Sequence, residues 1–410
     1  MNQKTLIGLV VAALIALVAA IALNHANKPQ SEGSGEASEY LAPGLREHIN
    51  DISKVVVTGA GDKTLATLQR GTKGWSLAEK GGYAVDTGKL REFLLKLSDA
   101  QLVERKTANK DKYATLGVED VSAKDAKGLQ VELDGLAQPL KLIVGDPDAR
   151  GSRTFVRRAG EAQSWLASGA LGVEKNAADW LKKDLADIAA NRIASVTITH
   201  ADGSALRVYK DAAGDANFKL ADIPKGREAG PEYGLNGLAS NLAGLRFDDV
   251  LPAQQATSGD KAAKARYAAF DGLVVDVTAW QKDGKDYAQF AASLDAAQAD
   301  KGIAAEQAKA KADFEAATAA AAAKKEANAA DAPIKPLAIS DPSQDRDNRL
   351  ATLNKEVADL KARFDGWVYV LPAYKYANID KSIDDLLKPL EAKPATKPVS
   401  TAAPKSGKSG

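Results

Sequence analysis

Two stretches of the chain, KVVVTGAGDKTLATLQR (Lys54 to Arg70) and SVTITHADGSALRVYK (Ser195 to Lys210), repeat one pattern: a β-branched run, a turn holding Gly and Asp, and an alternating run. The alternation falls on Ala66 and Leu68 in the first and on Leu206 and Val208 in the second, so each reads as a β-hairpin. The succession then continues in step. GWSL (Gly74 to Leu77) and NFKL (Asn217 to Leu220) each place a large aromatic in a third strand. Next the apolar period lengthens: Leu90, Phe93 and Leu97, and Leu235, Leu238, Leu242 and Leu245, follow the spacing of a one-faced helix. KYATLG (Lys112 to Gly117) then matches RYAAFDG (Arg266 to Gly272), and the strand GLQVELDG (Gly128 to Gly135) matches GLVVDVTA (Gly272 to Ala279). LKLIVGD and YAQFAAS follow as partner strands, and TFVRR (Thr154 to Arg158) matches WVYVLP (Trp367 to Pro372). AADWLKKDL (Ala177 to Leu185) and SIDDLL (Ser382 to Leu387) read as short closing helices. This order predicts an α+β fold of two tandem repeated domains, residues 51–190 and residues 191–293 with 365–392, each an antiparallel sheet with helices on one face.

The second repeat is interrupted by residues 294–364. The first arm of this insertion, AAEQAKAKADFEAATAAAAAKKEA, has strong helix propensity. The second carries Leu350, Leu353, Val357, Leu360 and Phe364 at heptad-like spacing. Three prolines in DAPIKPLAISDPSQ (Asp331 to Gln344) break any helix between them, so the arms are expected to fold back as an antiparallel hairpin. Ile303, Ala310, Phe314, Ala317 and Ala321 are the first-arm positions that can face the seam. Three outcomes stay open: a hairpin that decorates its domain, a partner-docking arm whose seam is those five residues from Leu350 to Phe364, or disorder. The docking reading rests on the small apolar area that an Ala-lined pair can bury by itself.

From Thr5 to Leu23 the chain has no charge, and as a helix the run is about 28 Å long, close to the ~30 Å of a bilayer's hydrocarbon core. Lys4 precedes it, which favours a cytoplasmic N-terminus and an exported body. Residues 1–26 are therefore expected to be a transmembrane anchor that crosses once, with the bulk of the chain extracytoplasmic. A cleaved signal peptide is the alternative, since Ala20-Ile21-Ala22 and Ala26 offer weak cleavage sites. Residues 27–50 begin with NKPQSEGSGEAS, the composition of a flexible tether, and the lysine-containing tail 393–410 has no apolar period and is expected to be disordered.

Composition excludes more than it selects. Lys plus Arg number 55 against 54 Asp plus Glu, a net charge of +1, which argues against a nucleic-acid partner. Cysteine is absent, and with it disulfides, thiolate metal sites and cysteine nucleophiles. His25, His48 and His200 form no zinc-binding spacing, and there is no G-x-S-x-G or Walker-type loop. The acid pairs Asp248-Asp249 and Asp384-Asp385 are adjacent residues whose side chains diverge on a strand or a helix, which is no acid-base device. No catalytic, cofactor or metal residue is assigned, and no enzyme is expected. The most suggestive loop is VGDPDARGSR (Val144 to Arg153). Asp146, Asp148, Arg150 and Arg153 could hold an ion there, although Gly-Asp-Pro between two strands is also what a hairpin turn needs. Trp75, Trp180, Phe218 and Trp367 recur at matching positions and read as core.

At GWSLAEKGGYAVDTGKLREFLLKL, KYATLGV, LIVGD, TFVRR and WLKKDL the sequence resembles the bacterial domain of unknown function 4340 family. The matching positions are Trp75, Tyr83, Asp86, Leu94, Leu97, Tyr113, Gly117, Gly145, Val156, Arg157, Trp180, Leu181 and Leu185. The resemblance covers most of Ser53 to Leu185 and extends weakly into the second repeat. It implies a membrane-anchored envelope protein, in a bacterial inner membrane and with a periplasmic body, encoded beside an ABC transporter of the gliding-motility or export type, and it supplies no catalytic residues. The expected function is a non-enzymatic accessory of such a system, partnered by the inner membrane and by other envelope or ABC-transporter proteins. A periplasmic binding module for a cell-wall or glycan ligand is the alternative.

Overall fold

The computed structural model describes residues 39–322 and 333–389. The anchor expected over residues 1–26, residues 27–38 of the tether and the tail 393–410 lie outside them, whereas residues 39–50, expected as tether, are folded, with Leu41 and Leu45 buried; no helix among the described residues is long and apolar enough to cross a membrane. The fold is mixed α/β with antiparallel sheets and several helices. It divides into two compact units: the chain up to Leu65 with Gly88–Lys175, and Ala66–Thr87 with the chain from Asn176 onward.

The first sheet is built from β1 (Lys54–Gly59), β2 (Lys63–Gly71), β3 (Gly74–Leu77), β4 (Tyr83–Ala84), β5 (Leu102–Arg105), β6 (Leu129–Asp134), β7 (Leu140–Pro147), β8 (Arg153–Arg158) and β9 (Ser164–Ser168), ordered β4-β3-β2-β1-β6-β7-β8-β9-β5. Strict alternation in β1 and β6 sends Val55, Val57, Val131 and Leu133 to the buried face. The short α1 (Leu45–His48) precedes this sheet, and α2 (Thr87–Asp99) buries Leu90, Phe93, Leu94 and Leu97, the face that the apolar spacing predicts.

The later strands are β10 (Asp184–Ala186), β11 (Ile193–Thr199), β12 (Ala205–Tyr209), β13 (Lys219–Leu220), β14 (Leu245–Arg246), β15 (Asp249–Pro252), β16 (Ala263–Ala269), β17 (Leu273–Lys282), β18 (Lys285–Leu294) and β19 (Trp367–Val370). β10 pairs with β14, and the remaining eight form a sheet ordered β13-β12-β11-β16-β17-β18-β19-β15. With β4 set aside, the two sheets have the same succession of strands.

That succession corrects the strand matching read from sequence. Arg266 to Gly272 is not the counterpart of the Lys112 to Gly117 turn. Lys110–Thr115 is a 3-10 segment, whereas Ala263–Ala269 is a strand beside β11, the place that β6 holds beside β1. Each later match moves by one strand, so β7 corresponds to β17, β8 to β18 and β9 to β19. Similar letters, KYAT and RYAA, hid the difference; AKARYAA alternates with a period of two, and the ladder partner decides.

Three helices expected from sequence also shorten. Ala177 to Leu185 keeps one 3-10 turn, Ala177–Trp180, because Leu181 goes on to pair with Val85 in extended form. Ser382 to Leu387 likewise keeps Asp384–Leu386 before Leu387 pairs with Ala229. The helix expected to reach Leu245 ends as α3 (Glu232–Ala239) with a 3-10 turn after it, and Gly244, at φ 51°, turns the chain into β14. Between β18 and β19 lie α4 (Ala296–Ala322), α5 (Leu337–Ser340) and α6 (Pro342–Phe364), and α7 (Ala373–Ile379) follows β19.

Within the second unit, Tyr83 packs edge-on against Phe247, Trp367 and Tyr369 at ring distances of 5.4, 4.9 and 6.1 Å. Lys80 Nζ meets Asp249 Oδ1 at 2.6 Å in the same place, and the Val85 amide donates to Trp75 O at 3.0 Å. Trp180 and Phe218 are buried, as their recurrence predicts, while Trp75 and Trp367 are half-buried.

Candidate functional site

The Val144 to Arg153 loop is held by its own atoms. Asp148 Oδ1 accepts the amides of Ser152 and Arg153 at 3.0 and 3.2 Å, its own amide donates to Arg153 O at 2.9 Å, and Arg153 Nε stands 4.0 Å from Asp148 Oδ2. This is the side-chain-locked turn that Asp favours. Asp146 lies apart from it, with its amide bonded to Leu116 O at 3.0 Å, and Arg150 is exposed. The four residues do not converge.

The helical seam is spent inside the chain. Leu353, Val357, Leu360 and Phe364 are buried and Leu350 is half-buried. Their helix packs mainly on β18, where the Phe364 and Phe290 rings are 5.3 Å apart, and also meets the first arm, where Leu353 and Ile303 line one cleft. The expectation of an open docking seam is corrected, because the large side chains that could have met a partner already cover the sheet. On α4 only Ala299 and Ile303 are buried; Ala310, Phe314 and Ala321 are half-covered and Ala317 is exposed.

What the insertion creates instead is a cleft of about 970 Å³ in the second unit, where α4 and α6 meet the loops around Arg192, Ala212 and Asp271. Arg192 organises one wall. Its two terminal nitrogens donate to the Glu356 carboxylate at 2.8 and 3.0 Å, and its Nε donates to Asp271 Oδ2 at 2.9 Å. The bidentate Glu356 bond is the main cause that holds this guanidinium above its ordinary range. On the other wall, Asp345 accepts Gln307 Nε2 at 3.0 Å and Arg349 Nε at 2.8 Å, and these bonds, the Gln307 bond first, lower its carboxyl below the ordinary range. The floor is apolar, with Ile303 and Leu353. Arg192, Lys301 and Arg349 face Asp211, Asp271, Glu306 and Asp345, so the cleft carries both signs with little excess of either. Such a lining suits a polar ligand without strong net charge. Sequence reasoning missed this set because its residues come from separate loops and two helices, each with an ordinary local role.

A buried polar cluster lies elsewhere in the second unit. Lys375 Nζ donates to Asn241 O at 2.8 Å and Ala243 O at 3.0 Å, and burial lowers its pKa. Asn241 Nδ2 reaches Lys375 O at 3.2 Å and the Tyr267 hydroxyl at 3.3 Å, and burial pushes that phenol up to about 12. Lys375 thus caps carbonyls left by the turn after α3, a structural use of the charge. His48 meets Asp51 three residues on at 2.8 Å, and His200 ties its hairpin turn to the distant Lys381 O at 3.0 Å; His25 lies outside the described residues. Asp249 pairs with Lys80, Asp384 with Arg227, and Asp385 accepts Ser382, so neither acid pair forms a two-carboxylate site. Among the described residues no group of three His, Cys, Asp or Glu could hold a metal ion.

Several positions that carried the family resemblance converge in the first unit. Arg157, 3 % exposed, donates to Val118 O and Glu161 O at 2.9 Å each and to Asp120 at 2.5 Å, with its guanidinium 4.6 Å from the Tyr113 ring centre. Gly117 has a φ of 66°, and a Cβ on Gly145 would lie 2.4 Å from Leu116 O. These residues lock the 3-10 segment after Asn109 onto β7 and β8, an architectural role. Compared with known proteins, residues 75–267 match the family model described as Domain of unknown function (DUF4340). No curated protein and no solved structure matches the chain.

Proposed function

We propose, for a chain that over residues 75–267 belongs to the domain of unknown function 4340 family, a non-enzymatic role as a single-pass inner-membrane protein whose extracytoplasmic body assists an ABC-type transport system. The body consists of two tandem copies of one sheet-and-helix module, a reading supported by the shared strand order. The uncharged run from Thr5 to Leu23 supports the anchor. The observation that carries the accessory role is α4: a helix from Ala296 to Ala322 that buries only Ala299 and Ile303. A long helix has little reason to stand in water unless something else uses it. The expected occupant is an extracytoplasmic surface of the transporter. Crosslinking from positions along α4 in intact membranes, followed by purification, tests this: recovery of a permease or ATPase supports it, and repeated recovery of the protein alone contradicts it.

The cleft at Arg192 supports a second reading, a binding module for a cell-wall or glycan ligand, because its walls offer both charges and amides around an apolar floor. A glycan panel that raises the unfolding temperature of the wild type, but not of Lys301→Glu, favours this reading. A flat response across the panel removes it.

A further inference from the structure

The shared strand order makes one difference between the two sheets informative. In the first, the chain between β5 and β6 crosses the outer face: Tyr113 and Val118 cap Ile143, with Phe155 packed beside them. In the second, the shorter connection between β15 and β16 covers only one end, where Ala256 packs with Trp280 and Val368, and Trp280 stacks on Tyr287 at 5.8 Å. Between that end and Val274, which is buried on the same face, the described residues leave the middle of the face uncovered. The register places Arg207, Thr197, Arg266 and Asp276 in one row across four strands, and Thr199, Lys264, Thr278 and Gln289 in the next. A groove of about 440 Å³ runs past Thr278 and Gln289 to Asp365, on the strands that correspond to the capped part of the first sheet.

An open antiparallel face is ordinarily polar, so openness alone assigns nothing. The pairing of charges does more. Arg266 and Asp276 neutralise each other at 3.3 Å, while Arg207, whose guanidinium lies 5.2 Å from the Tyr209 ring centre, and Lys264 have no ion-pair partner among the described residues. Both are exposed, on strands separated by β11, whose Thr197 and Thr199 put hydroxyls between them. The chain's own tail, 393–410, has lysines and no acid, and so carries the wrong sign to cover them. We infer that this face is a docking ledge for an acidic polysaccharide, with carboxylates on Arg207 and Lys264 and sugar hydroxyls on Thr197, Thr199, Thr278 and Gln289. The ledge goes beyond both readings above, since it includes neither α4 nor the cleft.

The test uses the full-length chain in detergent, titrated with polygalacturonate and with neutral dextran at low and high salt. Polygalacturonate is expected to bind and to weaken with salt, and Arg207→Glu combined with Lys264→Glu is expected to cost at least about tenfold in affinity. Lys73→Glu, a charge reversal on an exposed turn of the first sheet, should leave binding unchanged. Should the double reversal fail to fold, the Arg207→Ala and Lys264→Ala pair carries the same expectation. Equal binding of dextran, full binding by the double variants, no binding of polygalacturonate, or binding only to anionic lipid vesicles would each overturn the inference.

Discussion

Gly145 shows how a single residue sets the fold of the first unit. Its α-carbon faces Leu116 O and Gly117 O, and a methyl group there would sit 2.4 and 2.7 Å from those oxygens. Gly145→Ala should therefore cost about 1–3 kcal/mol, the range of a forced core overlap. Gly172→Ala, with nothing within 4 Å, should stay within about 0.5 kcal/mol. Denaturant titration of the two variants checks both values. Asp345 makes a pH-dependent prediction. Its folded pKa is depressed, so its contribution is present above the ordinary carboxylate value and is lost as pH falls through the folded value. Stability measured against pH should separate wild type from Asp345→Asn at neutral pH, and the gap should close below about pH 4. A gap that widens on acidification contradicts the assignment.

Among the elements, α6 and α4 should behave oppositely. Phe364 is fully buried at the end of α6, and Phe364→Ala should cost about 3–5 kcal/mol. Phe314→Ala on α4 should cost far less, because that ring is only half-covered. Hydrogen exchange should find α4 protected near Ala299 and Ile303 and fast toward Ala322. Both arms were legible in the sequence, since composition and spacing mark helices directly. Where α6 packs was not. A heptad-like seam states that one face is apolar, and it says nothing about whether a helix or a sheet covers that face. Strands follow the same rule: the β-branched run from Lys54 to Thr58 marks a strand, but which of its valines face the core, and that RYAA is a strand beside β11 and no counterpart of KYAT, depend on the ladder partners. The cleft was least legible, because Arg192, Asp271 and Glu356 meet only after the insertion folds back.

For the whole molecule, the account rests on an exported body held at a membrane. The absence of cysteine allows a clean topology test, because one introduced thiol is the only one present. Tyr374 is 67 % exposed and follows the last strand of the second sheet, so Tyr374→Cys should be labelled without disturbing a core. In intact cells with a permeable outer barrier, a membrane-impermeant maleimide should label Tyr374→Cys before the inner membrane is broken. Labelling that appears only after lysis of that membrane would place the body in the cytoplasm and contradict the account.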